Sequence, residues 1–230
     1  MSLLLLVIGI FIISGAVKRN NYKRSGYSSE SGAGYREVVS DKGKYGEYLT
    51  YRELEGVKGH HRILTNVYIP AARGGTTEID LIFIHESGIY VIESKNYSGW
   101  IFGNENNKYW TQVFNNQRKE RFYNPIMQNN GHIRNLSRFL RLDIGVNKIK
   151  SIIVFSERCT LKDITVVSEN VRVIKRNNLH GTIKSFIKKS DVHLTENMID
   201  DIYSRLKTYC NVDVSVKEKH IDNINDKYRR

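Results

Sequence analysis

Apolar positions fall in three patterns along the chain. Residues 3–17 are an unbroken apolar run, LLLLVIGIFIISGAV, with no charge. Beyond residue 36, apolar residues recur at helical spacing in some stretches and gather in short β-branched blocks in others. Ser40 or Asp41 can cap a helix to about Glu55, with Tyr48, Tyr51 and Leu54 on its buried side and Gly56 as its stop. Residues 62–69 predict a strand ended by Pro70. Residues 79–84 and 89–92 are two apolar runs around His85-Glu86-Ser87-Gly88, which is turn chemistry. They predict a hairpin of central strands covered on both faces. One or two short strands are expected within residues 100–114, around a turn at 103–108. Asn124-Pro125 opens a helix to about Leu142, with Ile126, Ile133, Leu136 and Leu140 on one side. Strands follow at 149–155 and 171–174, then helices at 179–187 and from a Thr195 cap to about Tyr209. The folded part is thus residues 37–212, alternating helix and strand, and the polar residues 213–230 read as a frayed tail.

The apolar run changes the picture of where the domain sits. With Met1 and Ser2 it would make a helix about 25 Å long, against a bilayer core of about 30 Å. Lys18, Arg19, Lys23 and Arg24 follow it and no cation precedes it. This predicts a single transmembrane helix, residues 1–19, with the folded part held at the cell membrane on its cytoplasmic side. The small residues Ser14-Gly15-Ala16 keep a cleaved signal peptide as the rival. Residues 20–36, rich in Ser, Gly, Asn and Tyr, read as a flexible tether.

Charge adds a partner class. Lys and Arg number 36 against 24 acids in 230 residues, a net charge of +12. That balance favours nucleic acid or an acidic membrane surface. Cys159 and Cys210, the only cysteines, exclude a disulfide-dense scaffold and a Cys-built zinc site. No Walker-type phosphate loop is present, which argues against ATP hydrolysis, and no base-reading motif is visible.

The hairpin carries the candidate chemistry. Asp80, Glu93 and Lys95 interrupt otherwise apolar strands, and Glu93 and Lys95, two apart, share a face. A two-residue loop at Glu86-Ser87 sets Asp80 opposite Glu93, and one at Ser87-Gly88 sets it opposite Lys95. Both registers gather the three groups on one face, whereas a three-residue loop would separate them. Facing carboxylates are costly to bury unless a divalent cation joins them, and oxygen ligands suit Mg²⁺ or Mn²⁺. A lysine beside them can orient water or neutralise charge on a phosphoryl group.

These residues resemble the D…(D/E)-x-K signature of restriction-endonuclease-like nucleases. The fuller string resembles the nuclease-related domain family (NERD). It comprises Gly43-x-x-Gly46-Glu47, Glu78-Ile79-Asp80, Gly88 to Asn96, Gly99, Trp110 and Asn124-Pro125-x-x-Gln128, within residues 41–145. Ser94 stands where the family more often has Val, at a position facing away from the site. The resemblance implies an α/β fold with a mixed central β-sheet flanked by helices, and metal-dependent phosphodiester hydrolysis. By position it makes Asp80, Glu93 and Glu47 metal ligands, with Lys95, Glu47 and Gln128 as catalytic residues. His132 and Asn135 share a stripe with Gln128 and read as a solvated polar face.

Arg118, Lys119 and Arg121 precede the Asn124 helix, and Arg134 and Arg138 lie along it. They mark a nucleic-acid path, DNA rather than RNA, with Trp110, Phe122 and Tyr123 as stacking aromatics if exposed. Two rivals stand beside it: a non-catalytic, membrane-tethered module of the same fold that binds nucleic acid or a protein partner, and a membrane-associated interaction protein whose positive charge holds acidic lipid.

Overall fold

The computed structural model describes residues 3–72, 74–141 and 149–229; of residues 3–13, 221 and 223–229 it describes the backbone alone. Four helices open the chain: α1 (Leu3–Arg24), α2 (Tyr27–Ser31), α3 (Tyr35–Ser40) and α4 (Lys42–Glu55). Then come β1 (His61–Pro70), β2 (Thr76–His85), β3 (Gly88–Lys95), β4 (Gly99–Asn104), β5 (Tyr109–Val113) and β6 (Lys119–Tyr123). Helix α5 (Pro125–Leu140) leads to β7 (Lys150–Phe155), β8 (Cys159–Thr165) and β9 (Val171–Lys175), and α6 (Leu179–Lys189), α7 (Glu196–Lys207) and α8 (Val214–Arg229) close the chain.

The caps named by the sequence set the boundaries. The Asp41 carboxylate accepts from Lys44 N at 3.0 Å and starts α4. Asn124 caps α5 through Ile126 N at 2.9 Å, and its amide also donates to the Asn107 carbonyl at 2.7 Å, tying α5 to the β4–β5 turn. The last expected position of this helix, Leu142, lies outside the described residues.

The central sheet has the order β1-β2-β3-β7-β9. Its first pairs are antiparallel and β3-β7-β9 are parallel, so it is mixed. Ile82, Ile84, Ile89 and Val91 face α5 and α7 in one core. Phe83, Tyr90, Ile92 and Ile152 face α4 and α6 in the other. Both faces being covered explains why these strands are apolar throughout.

A second, four-stranded sheet, β6-β5-β4-β8, was not anticipated as a unit. It continues the first: the parallel pair β3-β7 hands over to the parallel pair β4-β8. Its inner face packs Ile101 and Trp110 on Ile153 and Phe155. Strands β6 and β8 are mostly exposed and polar, which hid them from a pattern of apolar runs.

Three expectations are corrected. Residues 20–36 are not a flexible tether. Tyr22 and Tyr27 are fully buried, and their rings meet those of Tyr48 and Tyr51 with centroids 5.1–5.6 Å apart. The polar tail is also structured: α8 places His220 on β2, where its ring is buried 3.1 Å from Thr76 Oγ1. Trp110 is core, stacked on Phe155, and offers no stacking surface. As for the expected membrane span, no helix among the described residues is long and apolar enough to cross a bilayer. The apolar side chains of residues 3–13 lie outside the described residues.

Candidate active site

The hairpin register is set by Gly88, whose φ of 125° suits glycine. His85 pairs with Gly88, leaving Glu86-Ser87 as a two-residue loop. The His85 ring locks this turn by accepting from Ser87 N at 3.0 Å. Counting back along the strands brings Asp80 level with Glu93.

The ladder between β2 and β3 nevertheless ends at Leu81–Ile92. The cause lies on β1. Thr65 pairs with Leu81 and Val67 with Ile79, which leaves Asn66, at a φ of 51°, opposite Asp80. Leu81 and Ile79 are two apart and should share a face, yet Leu81 packs in the α4 core and Ile79 in the α5 core. The strand rotates at Asp80. Its carboxylate therefore lies near the plane of the sheet and accepts from Ser94 N at 2.8 Å, where the ladder would have continued. The expectation of three groups on one face is corrected accordingly: Glu93 and Lys95 share the α5 face, and Asp80 reaches them from the sheet plane.

On the α5 face the groups form a connected chain. Lys95 Nζ lies 2.6 Å from Glu93 Oε1 and donates to Gln128 Oε1 at 3.3 Å. His132 Nε2 lies 3.4 Å from Glu93 Oε2, and His132 Nδ1 lies 2.7 Å from Thr77 Oγ1. Between Gln128 and His132, the buried Asn129 amide donates to the Val91 carbonyl at 2.9 Å and to Ser151 Oγ at 2.8 Å. That clamp fixes the rotation of α5 and so aims both neighbours. Glu93 is 1% exposed and its Oε2 has no hydrogen-bond partner.

Glu47 approaches from the other face, on α4. Tyr27, from the supposed tether, donates to Glu47 Oε2 at 3.4 Å. Gly46 lets α4 come close: a Cβ there would lie 2.8 Å from Asn96 Cβ. Asn96 cannot yield, because it donates to the Lys42 carbonyl at 2.6 Å and accepts from Arg158 at 3.0 Å. Gly46→Ala is therefore expected to lose about 1–2 kcal/mol net, overpacking outweighing the gain in helix propensity. Urea denaturation checks this, and a rise in midpoint would refute the close approach.

Burial raises the Asp80 carboxyl well above the usual range, with Glu93 and Glu47 adding to it. Burial, reinforced by Glu78, pushes Glu47 up to about 7. Burial would also raise Glu93, but Lys95 and His132 outweigh it and hold that carboxyl at about 2. Desolvation opposes the Lys95 charge, and Glu93 and Asp80 overcome it, so the ammonium is held well above its ordinary value. Converging carboxylates, one with a buried oxygen that lacks a hydrogen bond, are hard oxygen donors suited to Mg²⁺ or Mn²⁺. Among the described residues, no three His, Cys, Asp or Glu side chains group into a shell by themselves. Asp80 and Glu93 would supply two donors, with water and phosphate for the rest.

The expected basic residues lie on β6, on the turn before it and on α5. Arg118 pairs with Glu120 at 2.9 Å and lies over Phe114. Lys119 is exposed on β6, and Arg121 lies 4.8 Å from the Tyr109 ring centroid. Arg134 and Arg138 are exposed on α5, and Arg138 donates to Asn135 at 3.5 Å. Ser94 turns away toward Thr50 of α4, as expected. His132, expected on a solvated polar face beside Gln128, is instead buried between Glu93 and Thr77. Nothing in the sequence pointed to Tyr27.

The nuclease-related domain profile matches residues 42–156, which include Glu47, Asp80 and Glu93. An uncharacterized protein of Bacillus anthracis is 34% identical over 198 residues, covering 85% of this chain and 89% of its own length. No solved structure matches the chain at a significant level. The sequence match, the mixed α/β sheets and the carboxylate–lysine cluster agree: the chain belongs to the nuclease-related domain family.

Proposed function

We propose that this protein is a metal-dependent nuclease that hydrolyses phosphodiester bonds, with DNA as substrate. One observation carries the reading: Asp80, Glu93 and Lys95 converge at the end of β3, and one buried Glu93 oxygen has only a long 3.4 Å contact with His132 and no hydrogen bond. Asp80 and Glu93 would hold Mg²⁺ or Mn²⁺, which when bound polarises phosphoryl oxygen and makes water more acidic. Lys95, kept charged by Glu93 and Asp80, donates to the oxygen on which charge develops. Gln128 accepts from Lys95 and fixes its direction. His132 holds the outer edge of Glu93. Glu47, whose carboxyl burial pushes up to about 7, would take a proton from the attacking water.

A non-catalytic binding module of restriction-endonuclease-like fold is the second reading. It is favoured by the lack of a three-residue metal shell among the described residues. Attachment to the cell membrane, with the domain in the cytoplasm, rests on the apolar run 3–17 and the cations behind it. Calorimetry with Mn²⁺ and nicking of supercoiled plasmid, wild type against Asp80→Asn, tests the enzyme. The expected result is metal binding and nicking in the wild type, both lost in the variant. Equal nicking by Asp80→Asn would sink the assignment, and DNA binding without turnover would leave the module.

A further inference from the structure

The second sheet has one covered face and one open face. Ile101, Trp110 and Phe122 point inward, against Phe155. By alternation Trp100, Tyr109, Lys119 and Arg121 point outward. The register agrees, since Trp100 and Lys119 both lie opposite Val113, and Tyr109 lies opposite Tyr123.

Trp100 is 45% exposed although β4 is an interior strand of its sheet, and Tyr109 is 37% exposed. Both rings carry cations. Lys162 Nζ lies 5.6 Å from the Trp100 centroid. Lys108 Nζ and the Arg121 guanidinium lie 5.4 and 4.8 Å from the Tyr109 centroid. Among nearby acids, Glu120 is taken by Arg118, and Asp163 lies opposite Phe102. Cations therefore outnumber acids on a face that also shows two large rings. Trp100 follows Lys95 by five positions, so the face begins within about 18 Å of the candidate site.

We propose that the open face of the β6-β5-β4-β8 sheet is a platform for single-stranded nucleic acid. Trp100 and Tyr109 stack on bases, and Lys108, Lys119, Arg121 and Lys162 meet phosphates. The assignment deepens the nuclease reading and rests on its nucleic-acid substrate, naming the unpaired strand as the form held. A duplex hides its base faces, so rings give it nothing, whereas phosphate contacts alone would serve both forms.

The test uses the full-length chain in EDTA, with fluorescence anisotropy of an oligothymidylate and of a duplex of equal length. The double variant Trp100→Ala/Tyr109→Ala is expected to bind the single strand at least about tenfold more weakly, with duplex affinity unchanged. Trp100→Phe/Tyr109→Phe keeps the ring faces and should restore single-strand binding, which guards against mere misfolding. Lys119→Gln/Arg121→Gln should weaken both forms and flatten the salt dependence. Unchanged single-strand affinity in the alanine variant overturns the platform. So does an equal loss for duplex, which would leave a charged surface only. Loss of binding to phosphatidylserine vesicles in place of the oligonucleotide would make the face a lipid surface instead. Hydrolysis of a thymidine aryl phosphodiester, too small to span from site to platform, separates the two readings. It should be equal in wild type and the alanine variant. A wild type that cleaves neither this ester nor DNA removes the nuclease, while the anisotropy result still decides the platform.

Discussion

Replacing Lys95 with methionine is expected to cost about 3–5 kcal/mol of stability at neutral pH, because it strips a buried carboxylate of its partner. Turnover should fall by about 10²–10³-fold with the loss of a charged donor. Glu93 would keep only His132, 3.4 Å away, and its carboxyl would rise from about 2. The wild type fixes the sign of the accompanying pH effects. A carboxyl lowered to about 2 contributes stability that is present above its unfolded value of 4.5 and lost as pH falls toward 2. Asp80 and Glu47 act oppositely, because burial and neighbouring carboxylates raise them. Their contribution is full below their unfolded values, 3.8 and 4.5, and for Glu47 it is lost as pH rises through about 7. Metal-free wild type is therefore expected to lose roughly 2 kcal/mol between about pH 5 and pH 8, after a discount for the partial exposure of Glu47. Urea denaturation in EDTA at both pH values reads these effects. An unchanged midpoint in Lys95→Met, or a wild type that gains stability toward pH 8, would contradict the electrostatics described.

Removing residues 1–36 should unfold the domain, whereas removing residues 1–19 should leave it folded. Tyr27 is completely buried and Tyr22 is 3% exposed, and both rings meet Tyr48 on α4. Tyr22 donates to the Ala33 carbonyl at 2.6 Å, and Gly26 N donates to Glu55 at 2.7 Å. Glu30 accepts from Tyr203 at 2.7 Å and pairs with Lys207 at 2.5 Å, joining α2 to α7. Truncating one such ring costs about 3–5 kcal/mol, and each edge-to-face pair adds about 0.5–1.5 kcal/mol. Tyr27→Ala alone should thus remove a large share of a stability of about 5–15 kcal/mol. Tyr27→Phe keeps the ring and should lose only about 0.5–1.5 kcal/mol for the bond to Glu47. A cooperative urea transition at the wild-type midpoint in the 1–36 deletion would show that the segment is dispensable.

The legible parts of the fold share a cause. Asp41, Gly56 and Asn124-Pro125 act within one helical turn, so their meaning does not depend on distant residues. The hairpin strands are apolar on both faces because both faces are covered, which exposes them to any pattern reading. The pairing of Asp80 with this hairpin was legible only up to the loop. The rotation that sends its carboxylate into the sheet plane depends on the left-handed conformation of one asparagine on a neighbouring strand. Strands β6 and β8 each bury too little apolar surface to mark themselves. Residues 20–36 misled for a different reason. Their glycines and serines read as linker, while their tyrosines bury ring area and satisfy their hydroxyls on Ala33 and Glu47.

Were the chain anchored by its apolar run, the ordered N-terminal segment would limit how far this domain could reach. A flexible chain of 17 residues would let the domain wander about 20–25 Å from its attachment. Here α1 runs without a break from Leu3 to Arg24, and Tyr22 near its end is already part of the core. Were the apolar run seated in a bilayer, anchor and domain would move as one body. The carboxylate edge would then meet only strands that pass at one fixed height above the lipid, and the search would fall to lateral diffusion rather than to swinging on a leash.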